Sequence, residues 1–200
     1  MPKPAAKPPT EKGRGWLRII GGAWRGRKVA VPDTEEMRPT NERAREAIFN
    51  RLMHAEALLG VRLKGAAVAD LFAGTGALGL EALSRGAKSV VFVERNSEAC
   101  RAVTHTLYTL DAEDRGEVMQ ADATTLTTRQ TPLDVILLDP PYGKNLIAPT
   151  LISLRKLGWT KPGTLLVVET EAAVEWPPGY TLIDQRKYGR AEIAFIRADA

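Results

Sequence analysis

The chain is organised around the stretch from Ala66 to Leu83, AAVADLFAGTGALGLEAL. Ala66 to Phe72 is a short, nearly continuous apolar run, the pattern of a strand buried on both faces of a parallel sheet. Ala73-Gly74-Thr75-Gly76 interrupts it, and helical periodicity resumes at about Ala77. A glycine turn between strand and helix lets a ligand approach the backbone and aims helix N-terminal N–H groups at it, so a nucleotide or nucleoside pocket is expected. Gly74, Gly76 and Gly79 also spell GxGxxG, and Glu94 closes a second apolar run, Ser89 to Val93. That combination alone matches a dinucleotide fingerprint and does not choose the cofactor. Asp70, four residues before the first glycine, is expected to turn its carboxylate to the ligand, which suits a cationic or amino-bearing group better than a pyrophosphate. A turn whose glycines serve packing alone leaves both acids unexplained.

Downstream, strands and helices alternate, as in a doubly wound sheet. The second strand ends at Glu94, and a helix covers about Glu98 to Leu110. A third strand, Glu117 to Gln120, leads to Asp122, and a fourth, Leu133 to Leu138, leads to Asp139-Pro140-Pro141-Tyr142. A helix near Leu146 to Leu157 and a fifth strand, Thr164 to Glu169, follow. Tyr180 to Tyr188 and Ala191 to Arg197 read as a closing antiparallel hairpin. Asp70, Glu94, Asp122 and Asp139 therefore fall at the carboxyl ends of four strands, which share one ligand crevice in an open parallel sheet. Four acids there repel phosphate-rich ligands and favour ribose hydroxyls, an adenine amino group and positive charge.

Charge is distributed unevenly. Residues 1–65 carry fourteen Lys and Arg against seven Asp and Glu, and the remainder carries fourteen against seventeen. A basic front end on a slightly acidic domain points to a polyanionic partner held by the first third. Residues 1–15, rich in Pro and Lys, are expected to form a flexible basic tail. Residues 16–60 are expected to form an extension: two short strands, about Trp16 to Ile20 and Arg27 to Val31, then a helix from about Asn41 to Met53 with Ala44, Ala47, Ile48, Phe49 and Leu52 buried. Arg14, Arg18, Arg25, Arg27 and Lys28 cluster on or beside this hairpin with Trp16 and Trp24 among them, a mixture that suits RNA. Arg38 and Arg43 are expected to look toward whatever the domain binds, and Arg45 and Arg51 to lie on a solvated face. Residues 61–200 supply the main domain. Cys100, His54 and His105 show no metal-ligand spacing, so no metal is expected and Cys100 is assigned to helix packing. No apolar run approaches a membrane span and Met1 to Thr10 has no apolar signal core, so a cytoplasmic protein without membrane association is expected.

The tetrapeptide Asp139-Pro140-Pro141-Tyr142 suggests the chemistry. Successive prolines stiffen the backbone and carry no N–H donors, leaving the carbonyls of Asp139 and Pro140 available to face the crevice. Beside a carboxylate and an aromatic ring, this makes a slot for a planar group bearing an NH2.

DLFAGTGALGLEAL, the acid of FVE and DPPY together resemble the class I S-adenosylmethionine-dependent methyltransferases that act on an exocyclic nitrogen. RIIGGAWRGRKV, RPTNERAREAIFNRL and LEALSRGA resemble more narrowly the RsmD-type enzymes, which methylate guanine N2 in small-subunit ribosomal RNA. The resemblance implies a Rossmann-like α/β fold, a seven-stranded mostly parallel sheet with a C-terminal antiparallel hairpin and a small N-terminal hairpin-and-helix extension. It implies S-adenosylmethionine as cofactor, with Asp70, Phe72, Ala73, Gly74 and Gly76 around its methionine and ribose end. Glu94 and Arg95 would lie near the ribose, with Asp122 and Ala123 at the adenine. Asp139, Pro140 and Tyr142 would take the guanine. The implied partner is ribosomal RNA, in an assembled or partly assembled small subunit, with the enzyme a monomer. Two other readings stay open on the sequence: an NAD-dependent oxidoreductase using the GxGxxG turn, and a non-catalytic RNA-binding assembly factor.

Overall fold

The computed structural model describes residues 15–30, 42–141, 143–170, 174–188 and 191–200. Two short strands, β1 (Trp16–Arg18) and β2 (Lys28–Ala30), pair antiparallel, and α1 (Glu42–His54) and the single turn α2 (Glu56–Leu59) follow. Then come β3 (Ala67–Leu71), α3 (Ala77–Ser84), β4 (Ser89–Glu94), α4 (Ser97–Thr109), β5 (Gly116–Gln120), β6 (Val135–Leu138), α5 (Ile147–Lys156), β7 (Leu165–Thr170), β8 (Tyr180–Tyr188) and β9 (Ala191–Ala198). The main sheet has the order β5-β4-β3-β6-β7-β9-β8. Its first five strands are parallel, and β9 inserts antiparallel between β7 and the edge strand β8. From β3 the chain winds outward through β4 and β5, then returns to β6 on the other side. The order reverses at the β3–β6 boundary, where open α/β sheets bind ligands.

Strict alternation divides the core in two. Val68, Phe92, Leu137, Val167 and Phe195 face a layer that includes Ile48, Phe49 and Leu52 of α1, Leu80 and Leu83 of α3, Val103 of α4, and Leu17 and Val29 of the hairpin. On the other side, Leu71, Val93, Leu138 and Val168 pack with Leu151 and Leu154 of α5 and with Trp159. The N-terminal hairpin and α1 thus share one core with the sheet. The elements match their sequence expectations to within a few residues at each end, because buried apolar runs bounded by turn residues define them.

Two expectations for α1 are corrected. Arg45 is 1% exposed, donates from Nη2 to the Arg18 carbonyl at 2.8 Å, and has Nε 4.0 Å from the Glu81 carboxylate. Burial lowers its pKa, against the raising effect of Glu81 and Glu42. Arg51 is half-buried in an ion pair with Asp184 of β8, at 2.8 Å.

The third glycine of GxGxxG is a packing residue. A Cβ at Gly79 would lie 2.2 Å from Cε1 of the fully buried Phe92 ring, so only glycine lets α3 lie this close to β4. Gly79→Ala is expected to destabilise the fold by about 1–3 kcal/mol through overpacking, to be read as a lowered urea midpoint with an unchanged m-value.

Candidate active site

The glycine turn is built from three departures from strand geometry at alternate positions. Phe72 (φ 59°), Gly74 (φ 52°) and Gly76 (φ 74°) all lie in the left-handed region, the first of them at a cost that a non-glycine residue tolerates only where its surroundings enforce it. The turn is held from the neighbouring strand. Ala73 N–H donates to the Val93 carbonyl at 3.0 Å. The Gly74 N–H donates to Glu94 Oε2 at 2.9 Å, while Glu94 Oε1 accepts from Asn96 N–H at 2.8 Å. The acid at the end of β4 therefore ties its own strand end to the turn. Asn96 caps α4 in the same corner, its Oδ1 accepting from the N–H groups of Glu98 and Ala99.

Asp70 departs from its expected orientation. The residue is 1% exposed, and Oδ2 accepts the Gly79 N–H at 2.8 Å. Its carboxylate tucks beneath the turn and occupies an N–H in the first turn of α3. Burial pushes its pKa well above the usual carboxylate range. The Gly79 hydrogen bond opposes this, and the nearby charges of Asp139 and Glu94 add to it. The geometry has two consequences. One of the helix N-terminal donors that a pyrophosphate would need is already taken by an acid. The charges of Asp139 and Glu94 also reach Asp70, so the crevice gathers acids whose negative potential a cationic ligand would relieve.

The remaining acids stand along the same edge. Leu71 pairs with Leu138, so Asp139 leaves β6 beside the start of the glycine turn. Asp139 is half-buried and Pro140 buried; Tyr142 lies outside the described residues. Asp122, beyond β5, is exposed, and its Oδ1 accepts from both N–H and Oγ1 of Thr124, at 2.8 and 2.6 Å. Those bonds, with a smaller contribution from the charge of Arg95, hold its pKa below the usual range against slight desolvation. The neighbouring Ala123 is buried, and Arg95 is exposed. A fifth acid was not anticipated. Val168 pairs with Leu138, so Glu169, 6% exposed, comes next to Asp139 in the strand-end row. Cys100 is buried on α4, its thiol donating to the Glu94 carbonyl at 3.3 Å.

Of the basic residues, Arg18, Arg25, Arg27, Lys28 and Arg43 are exposed, while Arg14 and Arg38 lie outside the described residues. Arg27 also donates to the Thr109 carbonyl at the end of α4, at 2.9 Å. The tryptophans part company. Trp16 is 61% exposed, whereas Trp24 is partly buried against the core with the Arg115 guanidinium 5.7 Å from its ring centroid. The sequence reading also missed Glu81, Ser84 and Arg85. Its one available signal was an acid inside ALGLEALS, a helix buried on every side, where a charge must find partners.

A seven-stranded sheet with an antiparallel strand inserted next to the edge, and an acid-lined glycine turn at its reversal point, defines a class I methyltransferase. The family described as Conserved hypothetical protein 95 matches residues 17–197. The chain belongs to that family, the RsmD-type methyltransferases. It is 38% identical over 165 residues to Ribosomal RNA small subunit methyltransferase D of Escherichia coli, covering 82% of this chain and 80% of that protein. Its counterpart of the same description in Haemophilus influenzae is 36% identical over 189 residues, covering 90% and 93%. The solved structure of the E. coli protein yhhF superposes with a TM-score of 0.80 at 35% identity, covering 93% of this chain and 99% of that one. An RNA methyltransferase from Salinibacter ruber, solved with S-adenosyl-L-homocysteine, shares the fold at 13% identity and a TM-score of 0.61.

Proposed function

We propose that the protein transfers a methyl group from S-adenosylmethionine to the exocyclic N2 of a guanine in small-subunit ribosomal RNA. The observation that carries this reading is the Asp139-Pro140-Pro141 exit from β6 alongside the glycine turn of β3. It sets acceptors for an amine beside a crevice whose negative potential suits a cation. The relatives named as ribosomal RNA small-subunit methyltransferases support the substrate class. An NAD-dependent reaction is disfavoured because Asp70 already holds the Gly79 N–H.

The cofactor supplies an electrophilic methyl carbon on a positively charged sulfur. Asp70, Phe72, Ala73, Gly74 and Gly76 would surround its amino-acid and ribose portion. Glu94, with Arg95 beside it, would bind the ribose hydroxyls through lone pairs left over from Gly74 and Asn96. Asp122 and the Ala123 backbone would meet the adenine. The Asp139 carboxylate and Pro140 carbonyl would accept the two N–H bonds of the guanine amine, and Tyr142 would stack on a base swung out of its helix or loop. Those hydrogen bonds favour a pyramidal nitrogen and stabilise the positive charge that develops as the N–C bond forms and the S–C bond breaks. The proton then leaves a strongly acidic ammonium, so no strong base is needed.

Mass spectrometry of small-subunit RNA from cells lacking the gene, before and after treatment with the protein and S-adenosylmethionine, tests the reading. A single new N2-methylguanosine is expected, and methylation of adenine, or of nothing, would overturn it. Glu94→Ala is expected to weaken S-adenosylhomocysteine binding at least tenfold, since it removes a ligand group and loosens the turn. Titration calorimetry reads this directly, and an unchanged affinity would reassign Glu94 to the protein scaffold alone.

A further inference from the structure

The acid that closes the strand-end row, Glu169, has its direction set by the sheet. Alternation along β7 sends Leu165 and Val167 into the layer that holds α1 and α3, and Leu166 and Val168 into the opposite one. Glu169 has the parity of Leu165 and Val167 and pairs with Ile193 of β9, which faces that same layer. Asp70 follows Val68 in the same alternation on β3, and one step past the end of β6 gives Asp139 the parity of Val135 and Leu137. Three neighbouring strands therefore bring Asp70, Asp139 and Glu169 to one face. Because Leu71, Leu138 and Val168 share a level, Asp139 and Glu169 stand side by side, one same-face step beyond Asp70. Asp70 is engaged beneath the cofactor turn by the Gly79 N–H. Glu169 lies on the far side of Asp139 from that turn and is 6% exposed.

The same face is roofed by α1. Arg51 pairs with Asp184, which through Phe195 is level with Val167, and further along the chain the Leu58 carbonyl accepts from Arg197, opposite Leu165. The chain from α1 into α2 thus runs toward the amino end of β7, and the first turn of α1 points to the end that carries Glu169. Contacts outside the crevice hold this roof. Glu81 of α3 accepts the Ile20 and Gly21 N–H groups of the N-terminal hairpin at 2.9 and 2.8 Å and Arg85 Nε at 2.7 Å, and Ser84 Oγ accepts the Trp24 N–H. A Cβ on Gly21 or Gly22 would collide with Arg85 or with the Ser84 carbonyl. Arg85 in turn lies 5.3 Å from the Phe49 ring centroid of α1, and Arg45 of α1 reaches the Arg18 carbonyl of β1.

A second acid beside the amine-binding one has a chemical meaning. Among the three amino-bearing bases, only guanine has a ring N–H next to its amine, at N1; in adenine and cytosine the ring nitrogens beside the amine offer lone pairs. An ionised carboxylate only accepts hydrogen bonds, so it attracts the guanine edge and repels the others. Neighbouring strands lie about 4.8 Å apart, which lets acceptors at the ends of β6 and β7 meet two adjacent N–H bonds on one ring.

We infer that Glu169 is the residue that selects guanine, its carboxylate accepting N1–H of the target base while Asp139 and Pro140 hold the amine. The inference rests on the guanine-N2 reading. It is tested with the full-length protein on small ribosomal subunits reconstituted with RNA that carries either guanine or 2-aminopurine at the methylated position. 2-Aminopurine keeps the amine but presents a lone pair at N1. Wild type is expected to prefer guanine by about 10³-fold or more in kcat/KM, as a site built around a substrate N–H does. In Glu169→Gln, whose amide can donate to that lone pair, kcat/KM for guanine should fall about 10²-fold and the preference should shrink to about tenfold or less. Calorimetry with S-adenosylhomocysteine should show unchanged cofactor affinity in the variant. Equal use of the two bases by wild type would overturn the inference without any variant. So would a Glu169→Gln protein that loses activity on both bases in the same proportion, which is the mark of a structural role. Methylation of adenine by wild type would sink the guanine-N2 reading and this inference together, whereas guanine methylation with the same preference in both proteins would sink the role of Glu169 alone.

Discussion

Asp139→Ala is expected to lower single-turnover methyl transfer by about 10²–10³-fold while leaving S-adenosylhomocysteine binding within about tenfold of wild type. The carboxylate would act on charge that develops at the guanine nitrogen, so its removal costs more in the transition state than in either ground state. Asp139 follows the last residue of β6 and stands where Leu138 is paired on one side with Leu71 and on the other with Val168, so the backbone around it is held by the sheet whatever the side chain. Asp139→Asn separates the roles further, since its amide keeps an acceptor but brings no negative charge, and an intermediate rate is expected. Rapid-quench measurement with saturating donor and subunits gives the rate, and calorimetry gives donor affinity. A rate within threefold of wild type in the alanine variant would remove Asp139 from the chemistry.

The second large effect concerns Asp70, where stability and ligand affinity are expected to move in opposite directions. Its pKa in the folded, ligand-free protein is raised, chiefly by burial. Below the ordinary carboxylate range the group is protonated in both folded and unfolded chains and costs nothing. As pH rises, the unfolded chain releases its proton first, so stability falls through the interval up to the folded-state value and is flat beyond it. Asp70→Asn has no such interval. Its urea midpoint relative to wild type is therefore expected to climb from pH 4 toward neutrality, with the neutral amide carbonyl still able to accept the Gly79 N–H. The donor should respond in reverse. A cationic ligand favours ionised Asp70, so wild-type affinity for S-adenosylmethionine, whose sulfonium is charged, should rise with pH as the group titrates, and the variant's should be lower and flat over the same range. Parallel pH profiles in the two proteins would rule out Asp70 as a contributor to the crevice's negative potential.

The middle of the sheet was readable because β3, β4, β6 and β7 are buried on both faces and their apolar runs carry or lead into an acid. Asp70, Glu94 and Asp139 fell at strand ends by that rule alone. The misreadings have a common cause, which is that residue type was allowed to outrank position. Arg45 has the spacing of Ile48, Phe49 and Leu52 and belongs to their buried stripe. Its charge alone argued for solvent. Glu81 is the acid that makes that burial tolerable, yet the two are thirty-six residues apart in sequence, and nothing local links them. Gly79 completes the GxGxxG spacing, and its constraint comes from Phe92 behind it. Trp16 and Trp24 were indistinguishable as residues, and only the fold of the hairpin tip against α3 sends one outward and one in.

The seat of the hairpin tip limits how this architecture can diversify. Gly21 and Gly22 on one side and Glu81, Ser84 and Arg85, within little more than one helical turn, on the other form an interlocked seat. The ribbon is consequently not a portable module. Grafting it onto another sheet of the same class would require carrying the receiving helix with it.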